Sequence, residues 1–332
     1  MRSNPSRIAL ATAVALAAAR CGAAAPDTAE GARSAAAGAG PGAAKEEPVS
    51  VSLWRVERDG APPSHLFGTC HGGVALDEAL PARFAHLIGD ARVVVAEADV
   101  ASDPAGVLRT LADAALPEGE SLRRMLGEEL FAKVTARVAH YAPILVDRFE
   151  PWVVMVSLLF DGHLAETADA VEAAGGDARP MDLVVLERAR ERGVELGYLE
   201  TVGEQLELLR RMPRERSLAA IRELIENPEA ARRELEGVVA NCRPGGFDER
   251  LLERERDALG GDDASAAWMD EVFAARNRRW VERLEPLLDR GGAFVAAGVG
   301  HMAGDDGLLE MLEERGYTVT RLAVPRSEVA AA

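Results

Sequence analysis

The sequence predicts an α/β fold in which α and β elements are mixed. The predicted fold comprises a central, mostly parallel sheet with flanking helices and a large helical insertion. Short apolar runs rich in β-branched residues, such as residues 92–99, alternate with segments of helical periodicity, as in proteins built on a parallel sheet. The stretch from 122 to 192 carries mainly helical patterns, which predicts a helical layer inserted between the strands.

The first elements of the predicted domain are a hairpin, a helix and a strand. Residues 51–67 form two strand-like runs around Asp59-Gly60, a dipeptide that favours a tight turn. Residues 78–90 are predicted to be helical. The run "RVVVAEAD" is then predicted to be a buried parallel strand that delivers Glu97 at its end.

The second half of the chain alternates in the same way. Residues 194–200 predict a strand that ends at Glu200, and Thr201 with Glu204 has the spacing of a capping box at the start of the next helix. Gly316 is a C-cap residue for the helix before it. Helices are predicted at 122–134, 182–192, within 215–290 and at 305–315, and strands at 292–301 and 317–324.

The N-terminal segment predicts export. In residues 1–25, two arginines precede an apolar run too short to span a bilayer, as in a signal peptide. Cys21 follows a sequence that loosely resembles a lipoprotein cleavage box, so a lipid anchor in the membrane and a soluble periplasmic protein are both open. Residues 26–48 are predicted to be a disordered Ala/Gly/Pro-rich tether, 49–325 a single domain and 326–332 a tail.

Charge and motifs narrow the function classes. The net charge of −17 gives no general attraction for nucleic-acid phosphates, so we expect no nucleic-acid partner. No glycine-rich nucleotide loop and no serine nucleophile elbow is present, which disfavours nucleotide binding and serine hydrolysis. In an exported protein Cys70 and Cys242 could form a disulfide, but two cysteines 172 positions apart do not demonstrate one, and two separate thiols are the alternative.

Two strand ends carry the same short motif. Gly68 and His71 begin and end one G-x-x-H sequence, and Gly298 and His301 begin and end another. A glycine there lets the chain turn or lets a ligand approach the backbone. The other four histidines lack this setting and are interpreted as surface or core residues: His65, His86, His140 and His163.

Two carboxylates follow strands in the same way as the histidines. Glu97 and Glu200 each come at the end of a predicted strand, and ligands of open α/β sheets bind at the carboxyl ends of strands. Imidazoles with carboxylates suit Zn, Mn, Co or Fe(II). We therefore predict His71, His301, Glu97 and Glu200 as candidate metal ligands, with Glu97 as ligand or general base. The alternative is a buried structural Glu97 and a solvent-facing Glu200.

These motifs, in this order, resemble those of the TraB/GumN family, which includes the TIKI metalloproteases. The resemblance runs from about Leu53 to Val319 and rests on "HLFGTCHGG", "VVAEAD", "EPWV", "MDLVVLERARERGVELGYLETV" and "RNRRWVERLEPLLDRGGAFVAAGVGH". It implies an α/β fold like that of TIKI proteins and erythromycin esterases. It also implies that the Arg-Asn pair at Arg276 and Asn277 supports the site or orients substrate; a solvated helix face is the alternative for this pair.

Two functions follow as expectations. The first is an exported hydrolase that uses a divalent ion (Mn, Co or Zn) to cleave an amide or peptide bond, with an unknown peptide or small-molecule substrate. The second is a periplasmic module that binds a metal or a ligand, as a haem-binding relative does, without turnover. Under both, the membrane is a partner only through a lipid anchor on the N-terminal segment.

Overall fold

The structure of the chain is a computed structural model. It describes residues 47–99, 113–139, 141–159, 169, 171–173, 175–250, 252–253 and 262–329. The predicted signal peptide lies outside these residues, as does the predicted tether up to residue 46. No helix in the described ranges is long and apolar enough to cross a membrane.

A mixed sheet forms the centre of the described fold. Its strands, in chain order, are β1 (Val49–Glu57), β2 (Ser64–Thr69), β3 (Val93–Ala96), β4 (Glu195–Tyr198), β5 (Ala293–Gly298) and β6 (Thr318–Val324). They lie in the order β4-β3-β5-β2-β1-β6. Strands β4, β3, β5 and β2 are mutually parallel, whereas β1 is antiparallel to both β2 and β6. The predicted mostly parallel α/β sheet is confirmed.

The described helices are labelled here in chain order. They are α1 (Leu76–Ala79), α2 (His86–Asp90), α3 (Leu122–Leu126), α4 (Glu128–Arg137), α5 (Pro143–Val146), α6 (Pro151–Leu158), α7 (Met181–Glu191), α8 (Val202–Arg210), α9 (Arg214–Glu226), α10 (Pro228–Ala240), α11 (Asp263–Val272), α12 (Ala274–Leu288), α13 (Leu308–Glu314) and α14 (Arg326–Val329). Between β4 and β5 the described elements are helices, as predicted.

Two predicted helices are interrupted. The single helix predicted at 78–90 is wrong: α1 ends at Ala79, a 3₁₀ turn covers Ala82–Phe84, and α2 starts at His86. Pro81 explains the break, because proline cannot supply the N–H that a continuous helix needs. The helix predicted at 122–134 is divided into α3 and α4 at Gly127, whose φ of 84° is a left-handed conformation suited to glycine.

The capping box predicted at Thr201 is confirmed. The Thr201 hydroxyl accepts a hydrogen bond from the backbone N–H of Glu204, and the Glu204 carboxylate accepts one from the backbone N–H of Thr201. Since β4 ends at Tyr198, this box fixes the short turn that carries Glu200 from the sheet into α8. The predicted strand end at Glu200 is therefore two residues late, although the Glu200 N–H still donates to the Glu97 carbonyl at 2.8 Å.

Apolar side chains cover both faces of the sheet. Alternate residues of β5 point to opposite sides, so Phe294 joins one buried cluster and Val295 joins the other. The second cluster contains Trp280 and Leu284 of α12, which pack over the face that carries Val295. The central strands are thus fully buried, and polar groups at their carboxyl ends lie next to a dry core.

Candidate functional site

The two G-x-x-H motifs lie side by side at the carboxyl edge of the sheet. Parallel pairing aligns Gly68 with Ala297 and Thr69 with Gly298, so His71 and His301 leave neighbouring strands at the same edge. His301 closes a 3₁₀ turn that begins directly after β5. The histidines therefore emerge together because the strands are adjacent and parallel.

The motif glycines permit close approach between these turns. A Cβ on Gly68 would lie 3.0 Å from Cγ2 of Val299. A Cβ on Gly298 would lie 3.1 Å from Oε1 of Glu97, which accepts the Gly298 backbone N–H at 2.7 Å. A side chain at Gly298 would push Glu97 away from that N–H, so the glycine keeps the carboxylate in place.

His71 is paired with Asp182. Its Nδ1 lies 3.0 Å from Oδ1 of Asp182, in the first turn of α7, and both side chains are buried. Burial disfavours charge on His71, but the Asp182 carboxylate outweighs burial and raises the pKa of the imidazole. Burial likewise opposes the charge on Asp182, and His71 lowers the pKa of that carboxyl. Nε2 of His71 is buried with no hydrogen-bond partner among the described residues.

His301 is held by Asn277. The His301 Nδ1 lies 2.7 Å from the Asn277 side-chain oxygen, and the Asn277 amide donates to the backbone oxygens of His301 and Asp306. The imidazole also packs on Trp280, with ring centroids 4.4 Å apart. The second ring nitrogen, Nε2, lies 3.0 Å from Arg276 Nη1. Because a guanidinium only donates, Nε2 accepts, and the ring proton is on Nδ1 facing Asn277.

Glu97 and Glu200 both face Arg276. Glu97 Oε2 accepts from Arg276 Nη2 at 3.0 Å and from the Gln205 amide at 3.3 Å. The Glu200 carboxylate accepts from Arg276 Nη2 at 2.5 Å and Nε at 3.1 Å, and from the Trp280 indole at 3.3 Å. Each carboxylate is therefore buried as an ion pair with several hydrogen bonds, the arrangement that a buried charge needs.

Arg276 is the centre of this cluster. Each of its five N–H groups has an acceptor. Four donate to His301, Glu97 and Glu200, and the fifth donates to the Val272 carbonyl. Its guanidinium also lies 4.4 Å from the Trp280 ring centroid. Burial disfavours its charge, but Glu200 and Glu97 outweigh burial and raise its pKa. With all donors used, this arrangement leaves none for a substrate, and the predicted substrate-orienting role of Arg276 stays a prediction.

A disulfide closes the loop beside His71. Cys70 and Cys242 are bridged, with Cα atoms 6.2 Å apart, and both are buried. The Cys70 carbonyl also accepts the backbone N–H of Met181, the residue before Asp182, at 3.4 Å. Of the two alternatives left open by the sequence, the structure has the bridge. It ties the His71 turn to the end of α10.

The predicted ligands fit a metal ion only in part. Each histidine has Nδ1 anchored by a side-chain oxygen, as in metal-binding histidines. Nε2 of His71 has no partner among the described residues, whereas Nε2 of His301 accepts from Arg276. Glu97 and Glu200 instead neutralise Arg276. No three His, Cys, Asp or Glu side chains among the described residues form a group that could hold a metal. The assignment of all four side chains as ligands stays a prediction.

Comparison with known proteins identifies the family. Residues 52–321 match the sequence model of the TraB/PrgY/gumN family, and this range contains every residue of the site. The chain belongs to the TraB/PrgY/gumN family. The resemblance inferred from its motifs is thereby confirmed. No solved structure matches the chain.

Relatives of this TraB/PrgY/gumN protein include named metalloproteases. It is 23% identical to "Metalloprotease TIKI2" of Danio rerio, over 82% of this chain and 62% of that protein. It is 20% identical to "Metalloprotease TIKI1" of Homo sapiens, over 83% of this chain and 62% of that protein. An uncharacterized protein of Treponema pallidum is 27% identical over 62% of this chain and 58% of its own length. The chain thus spans less than two thirds of these relatives.

Sequence reasoning missed three side chains that complete the site. Asp182, Gln205 and Trp280 contact His71, Glu97 and Glu200 respectively. A signal existed for Asp182: it lies between apolar residues at the start of α7, where an acidic side chain is unexpected unless it has a buried partner. Gln205 and Trp280 carry no such signal, because both lie in ordinary amphipathic helices.

Proposed function

We propose that this chain is an exported, metal-dependent hydrolase that cleaves an amide or peptide bond, with His71 and His301 as metal ligands. The observation that carries the proposal is that both imidazoles are anchored at the same ring nitrogen. Asp182 holds Nδ1 of one and Asn277 holds Nδ1 of the other, and the two rings follow adjacent parallel strands. The metalloprotease names of the relatives support the same activity, and the N-terminal sequence supports export.

The chain's own residues supply orientation and a dry environment. Asp182 and Asn277 hold Nδ1 of each histidine, which makes Nε2 the nitrogen that would bind the ion; on His301 the ion would have to replace the Arg276 N–H. The residues of the site are at most 7% exposed, so electrostatic interactions there are stronger than in water. A divalent ion bound by the two histidines would lower the pKa of a bound water to about 7 and so supply hydroxide for attack on a carbonyl.

Glu97 is the proposed proton acceptor. In the present arrangement three N–H groups occupy its oxygens, those of Gly298, Gln205 and Arg276. To accept a proton, Glu97 has to exchange one of these donors for the attacking water. The same saturation favours the second candidate function, in which the site binds a metal or another ligand without turnover.

Metal analysis with a cleavage screen separates these functions. The purified protein is dialysed against Mn²⁺, Co²⁺ or Zn²⁺, its metal content is measured, and a peptide library is then tested for cleavage. His71→Asn and His301→Asn are the test variants. His86→Asn is the matched control, because His86 is exposed at the start of α2.

We expect bound metal and cleavage in the wild type and in His86→Asn. Replacing a residue that orients a metal ligand lowers metal affinity by roughly 10–100-fold. Replacing His71 or His301 itself should lower it by more than this. Metal binding without any cleavage would assign the chain to the binding class. Metal content unchanged in both test variants would refute His71 and His301 as ligands.

A further inference from the structure

The guanidinium of Arg276 contacts three of the four side chains predicted to bind the metal. It donates to His301 Nε2 at 3.0 Å, to Glu97 Oε2 at 3.0 Å and to both oxygens of Glu200, at 2.5 and 3.1 Å. All of these groups are buried. The position that a metal ion would share with these ligands therefore already has a positive charge beside it.

The contact with His301 excludes metal binding by the same atom. A neutral imidazole has one acceptor nitrogen with one lone pair in the plane of the ring. In this structure that nitrogen is Nε2, since Nδ1 faces the Asn277 oxygen at 2.7 Å. A lone pair that accepts the Arg276 N–H cannot coordinate an ion at the same time. His301 therefore binds either the guanidinium or the metal.

We propose that Arg276 is an internal competitor for the divalent ion, which holds the site closed to metal until its guanidinium leaves His301 and the two carboxylates. This inference rests on the proposed function, because it concerns the same ion. It assigns to Arg276 control of metal affinity, in place of the predicted contact with substrate. Its consequence is that the wild-type chain binds metal more weakly than its ligand set allows.

The charge balance of the cluster gives the direction of the effect. Two carboxylates face one guanidinium, so the Glu97–Glu200–Arg276 cluster carries a single net negative charge. Replacing Arg276 with a neutral side chain doubles that charge and removes repulsion between the guanidinium and the incoming cation. It also leaves two buried carboxylates without their partner, which destabilises the metal-free protein. Metal binding should reverse this destabilisation.

The experiment compares metal affinity in three variants of the full chain. Arg276→Gln removes the charge, and Arg276→Lys keeps it on a side chain that cannot reproduce the planar fork of the guanidinium. Arg279→Gln is the matched control, because Arg279 lies on the same helix and is exposed. Binding of Co²⁺ is measured by equilibrium dialysis and by its visible absorption, and Tm is measured with and without Co²⁺.

We expect the affinity of Arg276→Gln for Co²⁺ to be higher than that of the wild type by about tenfold or more. Its Tm should be lower without Co²⁺ and should rise more on addition of Co²⁺ than that of the wild type. Arg276→Lys should bind with intermediate affinity, and Arg279→Gln should match the wild type. Circular dichroism reports whether each variant is folded. If Arg276→Gln does not fold without metal, the test is whether Arg276→Lys binds Co²⁺ more tightly than the wild type.

The outcomes separate this inference from the proposed function. Folded Arg276 variants that bind Co²⁺ no more tightly than a metal-binding wild type would overturn the competitor role and leave the metal site intact. No Co²⁺ binding at millimolar concentration by any of the proteins, with no change in Tm, would overturn the proposed metal site and the competitor role with it.

Discussion

The disulfide between Cys70 and Cys242 allows a quantitative test of what stabilises the fold. Both cysteines are buried, and the bridge joins the His71 turn to the end of α10. Reduction, or replacement of both residues by alanine, opens this link. The hydrogen bond from Ser52 Oγ to the Asn241 carbonyl, at 2.7 Å, still ties the same end of α10 to β1. We therefore expect the reduced protein to fold, with lower stability.

The size of the loss follows from the loop that the bridge closes. The two cysteines are 172 positions apart. For a loop of this length the chain-entropy relation gives about 5 kcal/mol, an upper value because structure remaining in the unfolded chain reduces it. A typical domain has a free energy of unfolding of about 5–15 kcal/mol. We expect a loss of about 3–5 kcal/mol, a large part of the total.

Urea unfolding followed by circular dichroism measures this loss. The oxidised protein, the same protein with dithiothreitol, and Cys70→Ala/Cys242→Ala are compared, with Cys21→Ala in every sample to exclude thiol exchange. The double variant should be destabilised by about 1 kcal/mol more than the reduced protein, because alanine leaves small cavities. A loss below about 1 kcal/mol on reduction, or free thiols in the unreduced protein by mass spectrometry, would refute the reasoning.

Three further predictions concern the site and the N-terminal segment. Asp182→Asn should lower the pKa of His71, because the carboxylate that raises it is removed; an NMR titration of the metal-free protein checks this, and an unchanged pKa would contradict the pairing. Glu97→Gln should destabilise the protein by about 3 kcal/mol, because an amide –NH₂ would face N–H donors that the carboxylate now satisfies. If Glu97 is also the base, Glu97→Gln should keep its metal and lose about 10²–10⁴-fold in turnover; wild-type stability and turnover together would rule out both roles. Deletion of residues 1–48 should leave Tm unchanged within error, since β1 begins at Val49, and a fall of several degrees would show that this segment packs.

The sheet edge could be predicted because its signals are local. A short apolar run followed by glycine and histidine marks the end of a buried strand, and this places His71 and His301 at the carboxyl edge. Glu97 follows β3 for the same reason. The capping box at Thr201 was also predictable, since its two hydrogen bonds join residues three positions apart.

Prediction was less accurate where a single residue interrupts a periodic pattern. The apolar spacing at 78–90 suits a helix, and only the backbone preference of Pro81 divides it. Gly127 likewise takes a left-handed φ between α3 and α4, although the helical spacing continues across it. Periodicity reports which side chains are buried, and it does not report where the backbone turns.

By itself, the sequence determined the strands, the motif glycines and the set of ionisable groups at one edge of the sheet. Only the tertiary structure decided how those groups pair. His71 pairs with Asp182, 111 positions away, and Arg276 pairs with Glu97, 179 positions away. The physical reason is that a buried charge is tolerated only beside a partner, and packing of distant elements chooses that partner. The sequence pattern cannot reveal that Arg276 donates hydrogen bonds to both carboxylates. The same residues would stand at the same positions if the carboxylates bound a metal ion instead.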